Sequence, residues 1–274
     1  MKRIYDWDAR FNHRNFTVAD LRAAKGQRVL TQTTANNAEE AAAAREAGID
    51  LIMGNAQNTA AVRGGAPDMF FTAAVSLPDH PTETDVLRAA FAAMKDGADS
   101  VYTARGPHIV EMLAREEIPV MCHLGLVPRR STWKGGLRAI GRDAAEAMAL
   151  LQDFRDMENA GAFSVEAEVI VAEVMAEISK RTSLLTSSLG SGSGGDIIYL
   201  FQNDICGEQP DSPRHASAFG NIHALQEEIR AERRRALAAF DEAAKSGGFP
   251  ADGNTAFMDP AELAKFREML EESG

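Results

Sequence analysis

The feature that most constrains this chain is an alternation. Eight short runs rich in apolar and β-branched residues recur along it: "QRVLTQTT" (27–34), "IDLIMGN" (49–55), "DMFFTAAV" (68–75), "DSVYTA" (99–104), "IPVMCH" (118–123), "FSVEAE" (163–168), "SLLTSSL" (183–189) and "IIYLF" (197–201). Most are followed by an Ala- and Glu-rich stretch of helical period, such as 36–48 and 82–97, each closing on glycine, or 142–161 and 169–181. Strands separated by helices pair in parallel through right-handed crossovers. Eight such units in 274 residues predict a closed (β/α)8 TIM barrel, with an open doubly wound sheet as the alternative. The expected organisation is one barrel domain over 1–274: an N-terminal extension and helix to 26, barrel elements over 27–205, and additional C-terminal helices over 206–274.

The totals exclude several classes. Lys and Arg number 29 against 40 Asp and Glu, a net charge of -11, so there is no basic face with which to neutralise nucleic-acid phosphates. No run of 18 apolar residues is present to cross a membrane, and the charged, aromatic start "MKRIYDWDARFNHRNF" does not read as a signal peptide. Two cysteines, Cys122 and Cys206, make no disulfide framework and have no metal-ligand spacing, which predicts a cytoplasmic setting.

Barrel chemistry sits at the carboxyl ends of the strands. The polar residues there are Thr33, Thr34, Asn55, Ser76, Tyr102, Thr103, His123, Glu166, Glu168, Ser187 and Ser188. The glycine-rich "LGSGSGG" (189–195), which includes Ser191, follows the seventh strand, where barrels often bind phosphate or carboxylate. As a plain loop it would do no more than turn the chain.

The segment "CHLGLVPRRSTWKGGLRAIGR" (122–142) resembles the signature "GHLGLTPQS…GGYKVQGR" of the ketopantoate hydroxymethyltransferase family, with His123, Leu124, Gly125, Leu126, Pro128, Gly135, Gly136, Gly141 and Arg142 in register. "EAGIDLIMGN", "AAVRGGAP", "ENAGAFSVEAE", "LGSGSGGDIIYLFQND" and "SGGFPADGNTAF" resemble further family segments in the same order. The resemblance implies a barrel of the phosphoenolpyruvate mutase/isocitrate lyase superfamily and ring-like homo-oligomers. It also implies a Mg²⁺ that polarises an α-keto acid towards its enolate, which then takes a one-carbon unit from methylenetetrahydrofolate.

The departures from that pattern are chemical. Where the family has a metal-binding aspartate this chain has Asn55, and the neighbouring serine that holds the keto acid is Ala56. The second aspartate position falls on Ala74, and a lysine and an acidic residue on the fourth strand fall on Tyr102 and Ala104. Mg²⁺ asks for hard, preferably anionic oxygen ligands, so Asn55 alone is a poor remnant. What the resemblance retains is Glu168 on the family's catalytic glutamate and His123 at the fifth strand's mouth. Arg129 and Arg130 offer charges for an acidic substrate, or are plain loop charges. Glu166 or Glu168 could instead form a structural salt bridge, to Arg129 or Arg138, and Asp196 and Asp204 fit loop-ordering roles. The expectation is therefore aldol or retro-aldol chemistry on a small oxo- or hydroxy-acid. Glu168 and His123 would be catalytic, with Thr33, Asn55, Ala56, Tyr102, Glu166, Arg129, Ser187, Ser188 and Ser191 around the substrate and no family-type Mg²⁺. Mg²⁺ or another divalent ion held by Asn55, Glu168, Asp79 or His80 stays open, and methylenetetrahydrofolate enters only if the family reaction is retained. The alternatives are an authentic hydroxymethyltransferase with a rearranged metal site and a non-catalytic barrel that binds small acids.

Overall fold

The computed structural model describes residues 1–273 and divides the chain into two compact units, the first ending at Gly220. The first unit begins with a hairpin that the periodicity did not predict. Strands β1 (Lys2–Tyr5) and β2 (Phe11–Arg14) pair antiparallel, and the Asp6 side chain closes their turn by accepting from the backbone N–H of Asp8 and Arg10. Helix α1 (Val18–Ala24) follows, capped by Thr17 and Asp20 in a reciprocal capping box.

The remaining elements alternate: β3 (Leu30–Thr34), α2 (Ala38–Glu46), β4 (Leu51–Asn55), α3 (Thr59–Gly65), β5 (Phe70–Ala74), α4 (Glu83–Lys95), β6 (Ser100–Tyr102), α5 (Pro107–Arg115), β7 (Val120–Gly125), α6 (Ala144–Asn159), β8 (Ser164–Glu168), α7 (Ala172–Ser179), β9 (Leu185–Leu189), β10 (Ile197–Tyr199) and α8 (Gln202–Cys206). The last eight strands, β3 to β10, close into a parallel barrel in sequence order, with β10 returning to β3. The closed barrel is thus the architecture present, and the open sheet is not.

The crossover from β9 to β10 contains no helix. It is the glycine-rich segment, which turns tightly enough that a Cβ on Gly194 would lie 2.7 Å from the Ala176 Cβ, and one on Gly195 3.0 Å from the Thr186 carbonyl oxygen. Asp196 ends this turn and ties it down, accepting from Lys25 Nζ at 2.7 Å and from the Thr186 and Gly26 backbone N–H groups.

Strand residues alternate in and out of the barrel. Leu30, Leu51, Phe70, Phe163, Leu185 and Ile197 form an apolar plug at the amino end, covered by Leu21 of α1. Met53, Met121, Leu189 and Tyr199 form a cluster nearer the mouth. Outward residues such as Ile52, Phe71, Val101, Val120 and Val165 pack with residues of the surrounding helices in the largest core cluster. Beneath the barrel Asp99 accepts from Arg14 at 2.7 Å, from Arg63 and from the Phe71 N–H, a buried ion triad that pins the hairpin strand β2 and α3 to β6.

The second unit, from Asn221, holds the additional helices α9 (Ile222–Lys245) and α10 (Pro260–Glu272). Helix α9 exposes Leu225, Ile229, Leu237 and Phe240. Among the described residues no helix is long and apolar enough to cross a membrane.

Candidate active site

The inward parity of the strands gathers one set of side chains at the carboxyl mouth. Asn55, Ala74, Tyr102, His123, Glu166 and Glu168 line a cavity of about 450 Å³ together with Val75, Leu77, Val127, Arg129 and Phe201. Register places them side by side: Asn55 opposite Ala74, Ala74 opposite Tyr102, and His123 opposite Glu166.

His123 is the hub. Its Nδ1 lies 2.6 Å from the Tyr102 hydroxyl, and its Nε2 lies 2.8 Å from Glu168 Oε2 and 3.6 Å from Glu166 Oε1. The phenol of Tyr102 is held well above its ordinary pKa, first by burial and then by the field of Glu166, so it remains a neutral hydroxyl. A Tyr102 hydroxyl that donates to Nδ1 leaves the proton on Nε2, aimed at the carboxylates. Glu166 is 4% exposed, its Oε2 has no hydrogen-bond partner, and burial pushes its pKa up to about 7, with Glu168 adding to the rise and His123 opposing it. Glu166 therefore exchanges a proton near neutral pH, the condition acid/base work requires.

Gly125 explains why the two strands meet so closely here. It ends β7 at φ +89°, opposite Glu168, and a Cβ there would stand 2.2 Å from the Glu168 carbonyl oxygen. That carbonyl instead accepts from the Leu126 N–H at 2.7 Å, which holds the end of β8 in place. Cys122, one residue before His123, has outward parity; burial raises its thiol pKa and leaves it in the core as an inert apolar group.

Several expected residues lie elsewhere. Thr33 and Ser188 have outward parity; their hydroxyls donate to the carbonyls of Leu200 and Gly192. Ser187 points inward but donates to Gln32, and Ser191 donates to the Ala167 carbonyl while accepting from the Ile170 N–H. Ala56 is buried in a 3₁₀ turn after β4. None of these five lines the cavity. Glu166 and Glu168 form no salt bridge to Arg129 or Arg138: Arg138 pairs with Glu146 at 2.7 Å, and Arg129 donates to the Ala104 carbonyl. Sequence reasoning missed the buried Tyr199 and Gln32, whose hydroxyl and amide nitrogen also have no partner. Their inward parity was the available signal.

Of Asn55, Ala74 and Ala104, the positions onto which the resemblance maps the family's Mg²⁺ ligands, only the first has a side-chain oxygen, and that is an amide, so this set does not fit Mg²⁺. His123, Glu166 and Glu168 could hold a divalent ion, since one donor atom from each lies within 4.8 Å of the others. That mixed nitrogen and oxygen set suits a transition ion better than Mg²⁺, and it would require Nε2 to give up its proton and its bond to Glu168.

Fold and site together define a parallel (β/α)8 barrel with an imidazole–carboxylate cluster at its carboxyl mouth. The sequence profile of the ketopantoate hydroxymethyltransferase family matches residues 54–252, and the chain belongs to that family. It is 32% identical over 261 residues to 3-methyl-2-oxobutanoate hydroxymethyltransferase of Thermotoga maritima, covering 86% of this chain and 94% of the relative. Its fold is similar to that of a phosphonopyruvate hydrolase solved with oxalate and Mg²⁺, with a TM-score of 0.52 at 12% identity over 94% of this chain and 98% of that one. It is also similar to that of 2,3-dimethylmalate lyase, a phosphoenolpyruvate mutase/isocitrate lyase superfamily member, with a TM-score of 0.51 at 13% identity over the same shares.

Proposed function

We propose that this chain is an enzyme that makes or breaks a carbon–carbon bond next to the carbonyl of a small oxo- or hydroxy-acid, by aldol or retro-aldol chemistry, without Mg²⁺ held at the family's positions. Family membership supports aldol-type chemistry. The observation that carries the metal-free reading is the Tyr102–His123–Glu168 chain of hydrogen bonds at a mouth where Ala74 and Ala104 have no donor.

In this reading Glu168 takes a proton from the carbon beside the carbonyl. The C–H electron pair becomes the enolate, and the Nε2–H of His123, backed by Tyr102, donates to the enolate oxygen. In the cleavage direction Glu168 takes the hydroxyl proton, the carbon–carbon bond breaks, and an aldehyde leaves the same enolate. A divalent ion on His123, Glu166 and Glu168 would supply Lewis-acid polarisation of the carbonyl; the acid/base roles above are assigned without it.

The test is hydrogen exchange at C3 of 3-methyl-2-oxobutanoate, and at the methyl group of pyruvate, in D₂O followed by proton NMR. The protein is stripped with chelator, assayed, and assayed again after Mg²⁺ is returned. Catalysed exchange in chelator is expected. Exchange that needs added Mg²⁺ would transfer the chain to conventional 3-methyl-2-oxobutanoate hydroxymethyltransferase activity with a rearranged metal site. Binding of these acids with no exchange under either condition would leave a binding barrel.

The same reading takes the chain to be cytoplasmic and homo-oligomeric. Two free cysteines and the apolar residues exposed on α9 support it, and a monomeric mass in solution would remove the second part.

A further inference from the structure

Arg129 on the cavity wall, and Arg105 one residue beyond the cavity-lining Ala104, are matched with no carboxylate, although acids outnumber bases and the net charge is -11. Arg129 is the second residue of the 3₁₀ segment Pro128–Lys134 that follows β7, lines the cavity, and spends its hydrogen bond on the Ala104 carbonyl. Arg105, just after β6, donates to the carbonyls of Leu77 and His80 in the loop between β5 and α4. Among the described residues neither has an ion-pair partner. Burial and the neighbouring Arg130 and Arg105 charges all weigh against the Arg129 cation. An anion bound at Arg129 would relieve that crowding.

Among the described residues that line the cavity, Arg129 is the only lysine or arginine. Glu166 and Glu168 repel a carboxylate from the floor, Asn55 and Ser76 offer it only neutral groups, and Ala104, Val127 and Phe201 offer it no hydrogen bond from their side chains. We propose that Arg129 anchors the anionic group of the substrate and makes the cavity selective for acids over their uncharged analogues. The pose follows from chemistry. With the carboxylate on Arg129, the adjacent carbonyl meets the Nε2–H of His123, and the next carbon meets Glu168. The guanidinium thereby neutralises the acid's carboxylate while the imidazole acts as electrophile. This anchor rests on reading the cavity as the site where a small acid is processed.

The experiment measures binding to the full-length chain by calorimetry, with 3-methyl-2-oxobutanoate, pyruvate and oxalate as acids and methyl 3-methyl-2-oxobutanoate as the uncharged analogue. Arg129→Gln is expected to weaken acid binding about 10- to 100-fold, the loss of one charge-assisted hydrogen-bonded pair, and to leave the ester unchanged. Arg129→Lys should recover part of the loss, and added salt should weaken the acid on the wild-type chain only. Acid binding unchanged in Arg129→Gln, or acid and ester weakened equally, overturns the anchor and leaves the proposed function standing. A wild-type chain that binds none of the three acids overturns both.

Discussion

Nε2 of His123 stands 2.8 Å from Glu168 Oε2 while Nδ1 stands 2.6 Å from the Tyr102 hydroxyl, so one imidazole connects a phenol that stays protonated to a carboxylate at the cavity wall. If Glu168 moves the proton, Glu168→Gln should lower the exchange rate of the oxo acid by roughly 10²- to 10⁴-fold with affinity retained. Tyr102→Phe removes only the group that orients the imidazole, and a loss of about 10-fold is expected from one hydrogen bond. Turnover unchanged in Glu168→Gln would end the assignment.

Gly125 and Glu168 share one constraint. A methyl group at Gly125 meets the Glu168 carbonyl at 2.2 Å and Ile170 Cγ1 at 2.8 Å, and φ is +89°. Gly125→Ala is expected to destabilise the chain by about 2 kcal/mol or more, since positive φ alone costs roughly 1–3 kcal/mol, and to reduce exchange further by moving the end of β8. Urea unfolding measures the first effect. A midpoint equal to wild type would show that the strands can separate freely.

Glu166 makes the opposite prediction, a gain in stability. Its folded pKa of about 7 lies above the ordinary 4.5, so its ionised form is disfavoured in the fold. The cost is absent below about pH 4.5, grows as pH rises through 7, and is constant above that. Glu166→Gln should therefore stabilise the chain at pH 8.5, by about 1–3 kcal/mol, and much less at pH 5. Urea midpoints of both proteins at the two pH values provide the check, and an identical difference at both would refute it.

At the other end of the barrel, Asp99 compensates Arg14 and Arg63 in a region with little access to water. Asp99→Ala leaves two guanidinium groups unpaired and should cost about 3–5 kcal/mol. The Arg45–Asp68 pair is a built-in control, because Arg45 is 46% exposed; Asp68→Ala should cost under about 1 kcal/mol. Equal unfolding midpoints for the two variants would contradict the difference in burial.

Much of this architecture was legible in one dimension. Each of the eight apolar runs became a barrel strand, because a run of that length between Ala-rich helices has few other ways to bury both faces. The hairpin of Lys2–Tyr5 with Phe11–Arg14 was not legible. Its strands are mostly polar and exposed, and it is fixed by Arg14 reaching Asp99, 85 residues away. The glycine-rich segment was misleading for a related reason. Its glycines serve a tight parallel crossover, and the hydroxyls of Ser188 and Ser191 within and beside it bond to nearby backbone.

The candidate site divides in the same way. The family resemblance and the strand ends named His123, Glu168, Glu166, Tyr102 and Asn55 from sequence alone, because chemistry at a barrel mouth is carried by polar residues on short apolar strands. Sequence could not separate these from Thr33, Ser187, Ser188 or Ser191, which look the same in a list. Closure of the barrel made that choice. It gave each strand one inward parity and one register, brought residues 21 and 45 positions apart to within 2.6 and 2.8 Å of a single imidazole, and turned the other hydroxyls onto carbonyls and amides of the protein itself.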